Sequence, residues 1–204
     1  MNEIDINIIR KDFEIIADLI NPKSKILDLG CANGELLEHL SNIKDIEACG
    51  IEISQSGVSE CVKKGFFVVQ GDIDEGLKDY SDNSFDYVIL SQTLQVVKKP
   101  TTVIDEMLRV GKHIIISFPN FADINIRLKL LFTGSLPKTK YLSYEWYDSP
   151  NIHQVTIKDF RNYCSKRNIK IKNEITCNIS KNLITNKLAD IFPNLFAEHC
   201  IIVI

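Results

Sequence analysis

The residues with the clearest capacity for chemistry are the glycines and acids of the segment DLGCANG, residues 28–34. Gly30 and Gly34 stand where an apolar run gives way to a helical pattern, and glycine there lets the backbone approach a ligand without a Cβ clash. Glu52 ends the next apolar run, 22 residues after Gly30, where a carboxylate can accept hydrogen bonds from both hydroxyls of a ribose. The turn and the acid together predict a site for an adenosine-type ligand.

Charge and spacing narrow the identity of that ligand. A dinucleotide fingerprint would place glycine at positions 30, 32 and 35, whereas this sequence has Gly30, Ala32 and Glu35. A P-loop is also excluded, because no Gly-Lys-Ser/Thr follows the turn. Asp28 lies at the ligand end of the predicted strand, where it would repel a pyrophosphate and attract the ammonium and sulfonium groups of S-adenosylmethionine (SAM). We therefore predict SAM or S-adenosylhomocysteine, with a tight turn that binds nothing as the alternative.

Two later segments extend this predicted site. Asp72 and Ile73 follow the third apolar run, where the carboxylate can accept the adenine amino proton and the isoleucine can cover the ring. Ser91 and Gln92 follow the fourth run, beside the point where the strand order should reverse. Each pair could instead be an ordinary turn or strand exit. The predicted cofactor-binding set is Asp28, Gly30, Cys31, Ala32, Gly34, Glu52, Ile53, Asp72, Ile73, Ser91 and Gln92.

The elements that must position these residues alternate along the chain. Short apolar runs predict strands at 25–29, 47–53, 66–70, 85–91, 112–118, 169–177 and 199–204. Helical patterns predict helices at about 8–19, 34–40, 54–65, 100–110, 124–132, 156–166 and 182–191. This alternation is typical of an α/β fold, and it predicts a Rossmann-like, seven-stranded, mostly parallel sheet with helices on both faces.

Composition limits the classes of function. The chain has 204 residues, 45% of them apolar, and its length predicts a single domain, 1–204. A net charge of -3 and the absence of a basic patch argue against nucleic acid as a partner, and no apolar run approaches the ~20 residues of a membrane span. Six scattered cysteines, with no C-x-x-C pair or Cys/His cluster, predict structural thiols and no metal site. We therefore expect a cytoplasmic protein without a membrane or nucleic-acid partner.

Taken together, these motifs resemble those of the class I SAM-dependent methyltransferases. The chain is more closely similar to the MetW family of methionine-biosynthesis proteins, and this resemblance runs nearly end to end. The segments LDLGC and EMLRVG, residues 27–31 and 106–111, contribute to it. The segments FPNF and YEWYDSPNIH, residues 118–121 and 144–153, are much more specific to the MetW family.

The resemblance carries several expectations beyond the motifs themselves. It implies SAM-site roles for Asp28, Gly30, Gly34, Glu52 and Asp72. It also implies a role in methionine biosynthesis as the partner of a homoserine O-acyltransferase, the enzyme that activates the hydroxyl group of homoserine. Residues of about 119–155 would form an inserted cap or a partner-binding segment. In the family's glycine turn the residue at position 32 is usually glycine, so Ala32 leaves the affinity for SAM open.

Catalytic residues are harder to find in this sequence. His153 is the one candidate for a general base, although a histidine just before a helix often caps or packs. Tyr141, Tyr144, Trp146 and Tyr147 precede it, as core cover or as a lid or partner surface. No Gly-x-Ser-x-Gly elbow is present, so acyl transfer by the chain itself is not predicted. Two functions remain: an accessory subunit of an acyltransferase, which we favour, and a methyltransferase acting on a small molecule.

Overall fold

Seven strands form one sheet in this computed structural model, which describes residues 3–139, 142–178 and 183–204. The strands are β1 (Lys25–Leu29), β2 (Glu47–Glu52), β3 (Phe67–Gln70), β4 (Phe85–Ser91), β5 (Gly111–Pro119), β6 (Asn173–Cys177) and β7 (His199–Val203). Their order across the sheet is β3-β2-β1-β4-β5-β7-β6, and β7 alone runs antiparallel to its neighbours. The predicted seven-stranded, mostly parallel sheet is therefore confirmed.

The helices follow the strands as the sequence patterns require. They are α1 (Glu3–Leu19), α2 (Glu35–Ile43), α3 (Gln55–Lys63), α4 (Pro100–Val110), α5 (Ile124–Thr133), α6 (Ile157–Lys166), α7 (Leu183–Ile191) and α8 (Pro193–Phe196), with a short 3-10 helix at Ile73–Glu75. Side chains cap two of these helices: the Ser54 hydroxyl accepts from Gly57 N at 3.3 Å, and the Thr156 hydroxyl accepts from Asp159 N at 3.0 Å.

Alternating side chains of the central strands divide the core into two layers. On β4, Tyr87 and Ile89 face a cluster that includes residues of α1 and α2. Val88 and Leu90 face the other cluster, which contains residues of α4 and α6. Helices therefore cover both faces of the sheet, as predicted, and this double burial accounts for the continuous apolar runs of the central strands.

The structure differs from the sequence-based prediction near several element ends. The first helix begins at Glu3 rather than near residue 8, and β6 begins at Asn173 rather than Ile169. Ile169 instead donates its backbone N–H to Cys164 O at the end of α6, so it cannot start the strand. The short helix α8 was not predicted, and residue 182, the predicted first residue of α7, lies outside the described residues. None of the helices searched among the described residues is long and apolar enough to cross a membrane.

The FPNF segment, residues 118–121, joins the end of β5 to α8 and to the residues just before α6. Asn120 is buried, and its side-chain amide donates to the carbonyls of Asn194 and Ala197 at 3.3 Å and 2.8 Å. Its carbonyl oxygen accepts from Ala122 N at 3.1 Å. Phe121 N donates to Val155 O at 2.9 Å, so the two ends of the 121–155 stretch are hydrogen-bonded to each other. The sheet thus presents this stretch at the carboxyl end of β5.

Candidate functional site

A cavity of about 280 Å³ lies at the carboxyl ends of the first parallel strands. The order β2-β1-β4 makes this the edge where the strand order reverses, which is where open α/β sheets bind ligands. Its lining comes from the end of β2 and from the loops that follow β1, β2, β3 and β4: Gly30, Ile51, Glu52, Ile53, Gly71, Asp72, Ile73, Asp74, Thr93, Val96, Val97 and Lys98.

The Glu52 carboxylate joins two of these loops. One oxygen accepts from Ala32 N at 2.9 Å, and the other accepts from Ser54 N at 2.8 Å. The side chain is buried, yet it still lines the cavity. An ionised carboxylate offers about four acceptor positions, so each oxygen keeps the capacity for a further hydrogen bond.

The turn after β1 adopts a left-handed backbone at three alternate positions. The φ angles of Gly30, Ala32 and Gly34 are 73°, 48° and 73°. Glycine is required at positions 30 and 34, because a Cβ would stand 2.8 Å from Cγ2 of Thr93 in the first case and 2.8 Å from Sγ of Cys61 in the second. Alanine at position 32 adopts this conformation at a cost of roughly 1–2 kcal/mol. The N–H that it presents to Glu52 helps to hold it there.

Asp28 lies beneath the turn, with only 3% of its surface exposed. Among the described residues, no hydrogen bond to its carboxylate offsets the cost of this burial. Burial, reinforced by the nearby charge of Glu52, raises the pKa of Asp28 to about 7. The site therefore holds a carboxylate whose ionised form is poorly stabilised by the protein and would be favoured by a cationic ligand.

The opposite wall is built on two further aspartates. Asp72 caps the 3-10 helix by accepting from Asp74 N at 2.9 Å, and it lines the cavity. Asp74 accepts from the backbone N–H groups of Lys98 and Lys99 at 3.0 Å and 2.6 Å, which fixes the loop after β4 against the loop after β3. Three carboxylates and one lysine, Lys98, therefore line the cavity.

The structure brings five of the eleven predicted cofactor residues to the cavity wall: Gly30, Glu52, Ile53, Asp72 and Ile73. Among the other six, Ala32 donates its backbone N–H to Glu52, and Asp28 is buried beneath the turn, near the charge of Glu52. Cys31 is buried with its Sγ 3.9 Å from Cys61 Sγ, and burial raises the pKa of both thiols. Gly34 forms the N-cap of α2.

The remaining two predicted residues, Ser91 and Gln92, turn away from the cavity. Ser91 Oγ lies 3.1 Å from Ser117 Oγ of the neighbouring strand. The Gln92 amide nitrogen lies 2.8 Å from Asp12 Oδ2 and 2.7 Å from His199 Nε2. The residues of this loop that line the cavity are instead Thr93, Val96, Val97 and Lys98. The position of the loop after β4 was the sequence signal that could have found them.

Sequence reasoning also missed the buried polar cluster that receives Gln92. Asp12 and His199 come from α1 and the first residue of β7, and both are almost fully buried. His199 Nδ1 lies 3.4 Å from Asp12 Oδ1, and burial lowers the pKa of His199 despite the opposing charge of Asp12. A neutral imidazole that accepts from Gln92 at Nε2 fits these distances. No local pattern signals a contact between residues so distant in the chain.

His153, the candidate base, lies outside the cavity at the strand ends. Its backbone N–H and that of Ile152 both donate to Gln95 O, at 3.0 Å and 2.8 Å. Its side chain lines a separate, mostly apolar hollow of about 220 Å³ with Leu94 and Tyr163. The two cavities share no lining residue, although both use the loop after β4. His153 therefore does not face the ligand cavity, and Tyr141 lies outside the described residues.

Solved structures define the class to which this fold belongs. A SAM-dependent methyltransferase from Archaeoglobus fulgidus has a TM-score of 0.68 and 17% identity, over 97% of this chain and 92% of that chain. The [4+2]-cyclase SpnF has a TM-score of 0.62 and 16% identity, over 95% of this chain and 79% of that one. These likenesses show the class I SAM-dependent methyltransferase fold, and the cyclase shows that the fold hosts other reactions as well.

Sequence comparison then identifies the family. A family model described as methionine biosynthesis protein MetW matches residues 10–204, and the chain belongs to this family. A curated relative from Rhodopirellula baltica, the bifunctional methionine biosynthesis protein MetXA/MetW, is 33% identical over 98% of the chain. The chain spans about a third of the length of that relative, 33%. The family resemblance inferred from the motifs is confirmed.

Replacing Asp28 by Asn is expected to raise the free energy of unfolding at about pH 8. Between the unfolded pKa of 3.8 and the folded value of about 7, the folded chain keeps a proton that the unfolded chain releases. Its stability therefore falls as pH rises through this window, by at most about 1.4 kcal/mol per pH unit from this group. Urea denaturation of both proteins at several pH values between about 5 and 8 measures the difference.

Asp86→Asn is the matched control with the opposite sign. A hydrogen bond from Lys112, aided by Lys25 N, lowers the pKa of Asp86, so losing this charge should destabilise the protein near neutral pH. His199 is present in every variant, and its titration cancels in the comparison. If the free energy of unfolding of Asp28→Asn equals that of the wild type at every pH, burial does not destabilise the ionised form of Asp28.

Proposed function

We propose that the chain binds SAM in the cavity at the strand ends and acts as an accessory subunit of a homoserine O-acyltransferase in methionine biosynthesis. The observation that carries the second part is the relative in which a MetW portion is joined to MetXA in one protein. Membership of the MetW family places the chain in the same biosynthetic context. The first part rests on the chemistry of the cavity.

The charges of the cavity suit SAM better than a nucleotide with phosphates. Glu52, Asp72 and Asp74 line it, and Asp28 lies just behind it. A pyrophosphate would be repelled by these carboxylates, whereas the ammonium and sulfonium groups of SAM would be attracted. Binding of a cation would also favour the ionised form of Asp28, which its surroundings in the protein stabilise poorly.

The parts of the adenosine group can be assigned to different walls. Glu52 has acceptor capacity left on each oxygen and would receive the two ribose hydroxyls. Asp72 would accept the adenine amino proton, while Ile53 and Ile73 would cover the ring. The turn at Gly30 would let the methionyl part pass close to the backbone. When bound, SAM supplies an electrophilic methyl group.

The joined relative supports a stable association with the acyltransferase. Two modules in one polypeptide experience an effective concentration in the millimolar range, and separate proteins need an interface to match that proximity. Acyl transfer would then be carried out by the partner, because this sequence has no nucleophile elbow. The chain would contribute binding and regulation.

Methylation of a small molecule is the second candidate function. The similarity of the fold to SAM-dependent methyltransferases favours it, and methyl transfer can proceed by alignment in a dry site without a general base. His153, the one base that the sequence offered, lines a separate hollow, which gives this candidate less support. The accessory role is therefore the better supported proposal.

The SAM site is tested by replacing Glu52 with Gln. Hydrogen bonds to a charged acceptor contribute about 1.5–3 kcal/mol each, so the loss should weaken SAM binding at least tenfold. Isothermal titration calorimetry measures the affinity. Glu47→Gln, at the far end of the same strand, is the matched control and should bind like the wild type. If Glu52→Gln binds SAM with the same affinity as the wild type, the ribose does not bind at Glu52.

The accessory role is tested by mixing the chain with the purified homoserine acyltransferase of the same organism. We expect a complex in size-exclusion chromatography and a changed rate of O-acylhomoserine formation, because the proposed partner is regulated by contact. An equal concentration of albumin controls for nonspecific effects. Absence of both a complex and a rate change, together with turnover of SAM on a candidate metabolite, would favour the methyltransferase function.

Coupling between SAM and the partner is the next expectation. The Gln95 carbonyl joins residues 152–153 to the loop that lines the cavity, so the two regions can bias each other. Saturating acyltransferase should change the affinity for SAM by about 5-fold to 150-fold, the usual range for linked sites. Calorimetric titration of SAM with and without the partner measures this factor, and equal affinities would reject the coupling.

A backbone variant tests whether the Gln95 contact carries that coupling. Ile152→Pro removes one of the two N–H groups that donate to Gln95 O and should move the coupling factor towards one. Gln154→Pro, two residues further on, introduces the same rigidity without removing that hydrogen bond. If both variants reduce the coupling factor equally, the hydrogen bonds to Gln95 O do not transmit the coupling between SAM and the partner.

A further inference from the structure

Large apolar side chains are unusually exposed in one part of the chain. The described residues expose sixteen of them, and nine lie between positions 124 and 152. We call these nine the 124–152 surface: Leu128, Leu130, Leu131, Phe132, Leu136, Tyr144, Trp146, Tyr147 and Ile152. Single exposed apolar residues are normal on a monomer, whereas a contiguous apolar patch marks an interaction site. Nine exposed side chains in so short a part of the chain make it the candidate for such a site.

The helix α5 shows why the exposure is out of the ordinary. Of its ten residues only Ile126 is buried, although five others are leucine, isoleucine or phenylalanine. Leu128, Leu130 and Leu131 point in different directions around the axis, because successive residues turn by about 100°. Only Asn125, Arg127, Lys129 and Thr133 are polar, so apolar side chains occupy most of the helix surface. An apolar helix face is normally covered by protein. The exposed apolar side chains of α5 therefore lack the protein contacts that an apolar helix face normally makes.

The stretch that follows α5 also exposes large apolar side chains, and it contains an ion pair. Trp146 and Tyr147 are 77% and 70% exposed, and their rings contact each other edge to face at 5.6 Å. An ion pair between Lys138 and Glu145 crosses the stretch at 2.5 Å. Aromatic anchors with a charged rim are typical of a protein interface rather than of a core.

We infer that the 124–152 surface is where the homoserine acyltransferase docks, an inference that rests on the proposed function. Two observations favour this occupant over a second copy of the chain. The relative that carries MetXA in the same polypeptide matches 98% of this chain, so it contains a counterpart of this stretch beside the fused partner. The end of the stretch also donates to Gln95 O, in the loop whose Thr93 and Val96 line the cavity, where a regulated partner would sense the ligand.

The test compares the affinity of the purified acyltransferase for wild type and for two variants. Leu131→Ser combined with Phe132→Ser removes the most exposed part of α5, and Trp146→Ser removes the aromatic anchor. We expect each variant to bind the acyltransferase at least tenfold more weakly in biolayer interferometry. Phe67→Ser is the matched control, since Phe67 is 71% exposed but lies on the edge strand β3, and it should bind normally.

SAM affinity, measured on every variant, shows that the fold of the cavity is intact and should not change. If the wild type binds the acyltransferase and the surface variants bind it equally well, the docking inference is wrong and the accessory function stands. If the wild type does not bind it, both fail. If the variants lose only self-association, measured by light scattering over a range of concentrations, a second copy covers the surface and the inference is overturned.

Discussion

The geometry of the ligand cavity depends on the hydrogen bonds that Glu52 accepts from Ala32 N and Ser54 N. They tie the turn after β1 to the start of α3, and they hold Ala32 in a left-handed conformation that alanine otherwise avoids. The approach is tight, since a Cβ on Gly57 would stand 2.9 Å from Cγ of Glu52. A carboxylate at the end of β2 is thus a structural clamp as well as a candidate ligand group.

The sequence predicted the elements around this clamp well because local patterns determine them. The bounds of β1, β4 and α4 agree with the apolar runs and with the proline and glycine that flank α4. Prediction failed where a distant contact decides the outcome. Ile169 continues an apolar pattern, but its N–H is used by Cys164 O, so the strand begins later.

Distant contacts also explain which residues of the candidate site could be predicted from the sequence and which could not. Residues on turns directly after a strand, such as Gly30 and Asp72, were predicted because strand ends of a parallel sheet converge. Side-chain direction is decided by packing, and Gln92 turns towards Asp12 and His199 instead of the cavity. That buried cluster exists because β7 is antiparallel, which brings its first residue to the same edge as the ends of β4 and β5.

The loop between β4 and α4 connects the buried polar cluster, the cavity at the strand ends and the stretch that carries the 124–152 surface. Its first residue, Gln92, is fixed in the buried cluster, Thr93 and Val96 line the cavity, and the Gln95 carbonyl holds residues 152 and 153. A ligand that moves this loop must therefore strain the buried cluster, shift the stretch that carries the 124–152 surface, or do both. Because the cluster is almost fully buried and hydrogen-bonded, its displacement is the costlier of the two. Under the proposed function, the exposed stretch would then be the part that shifts, and the proposed ligand would have a physical means of acting on the proposed partner.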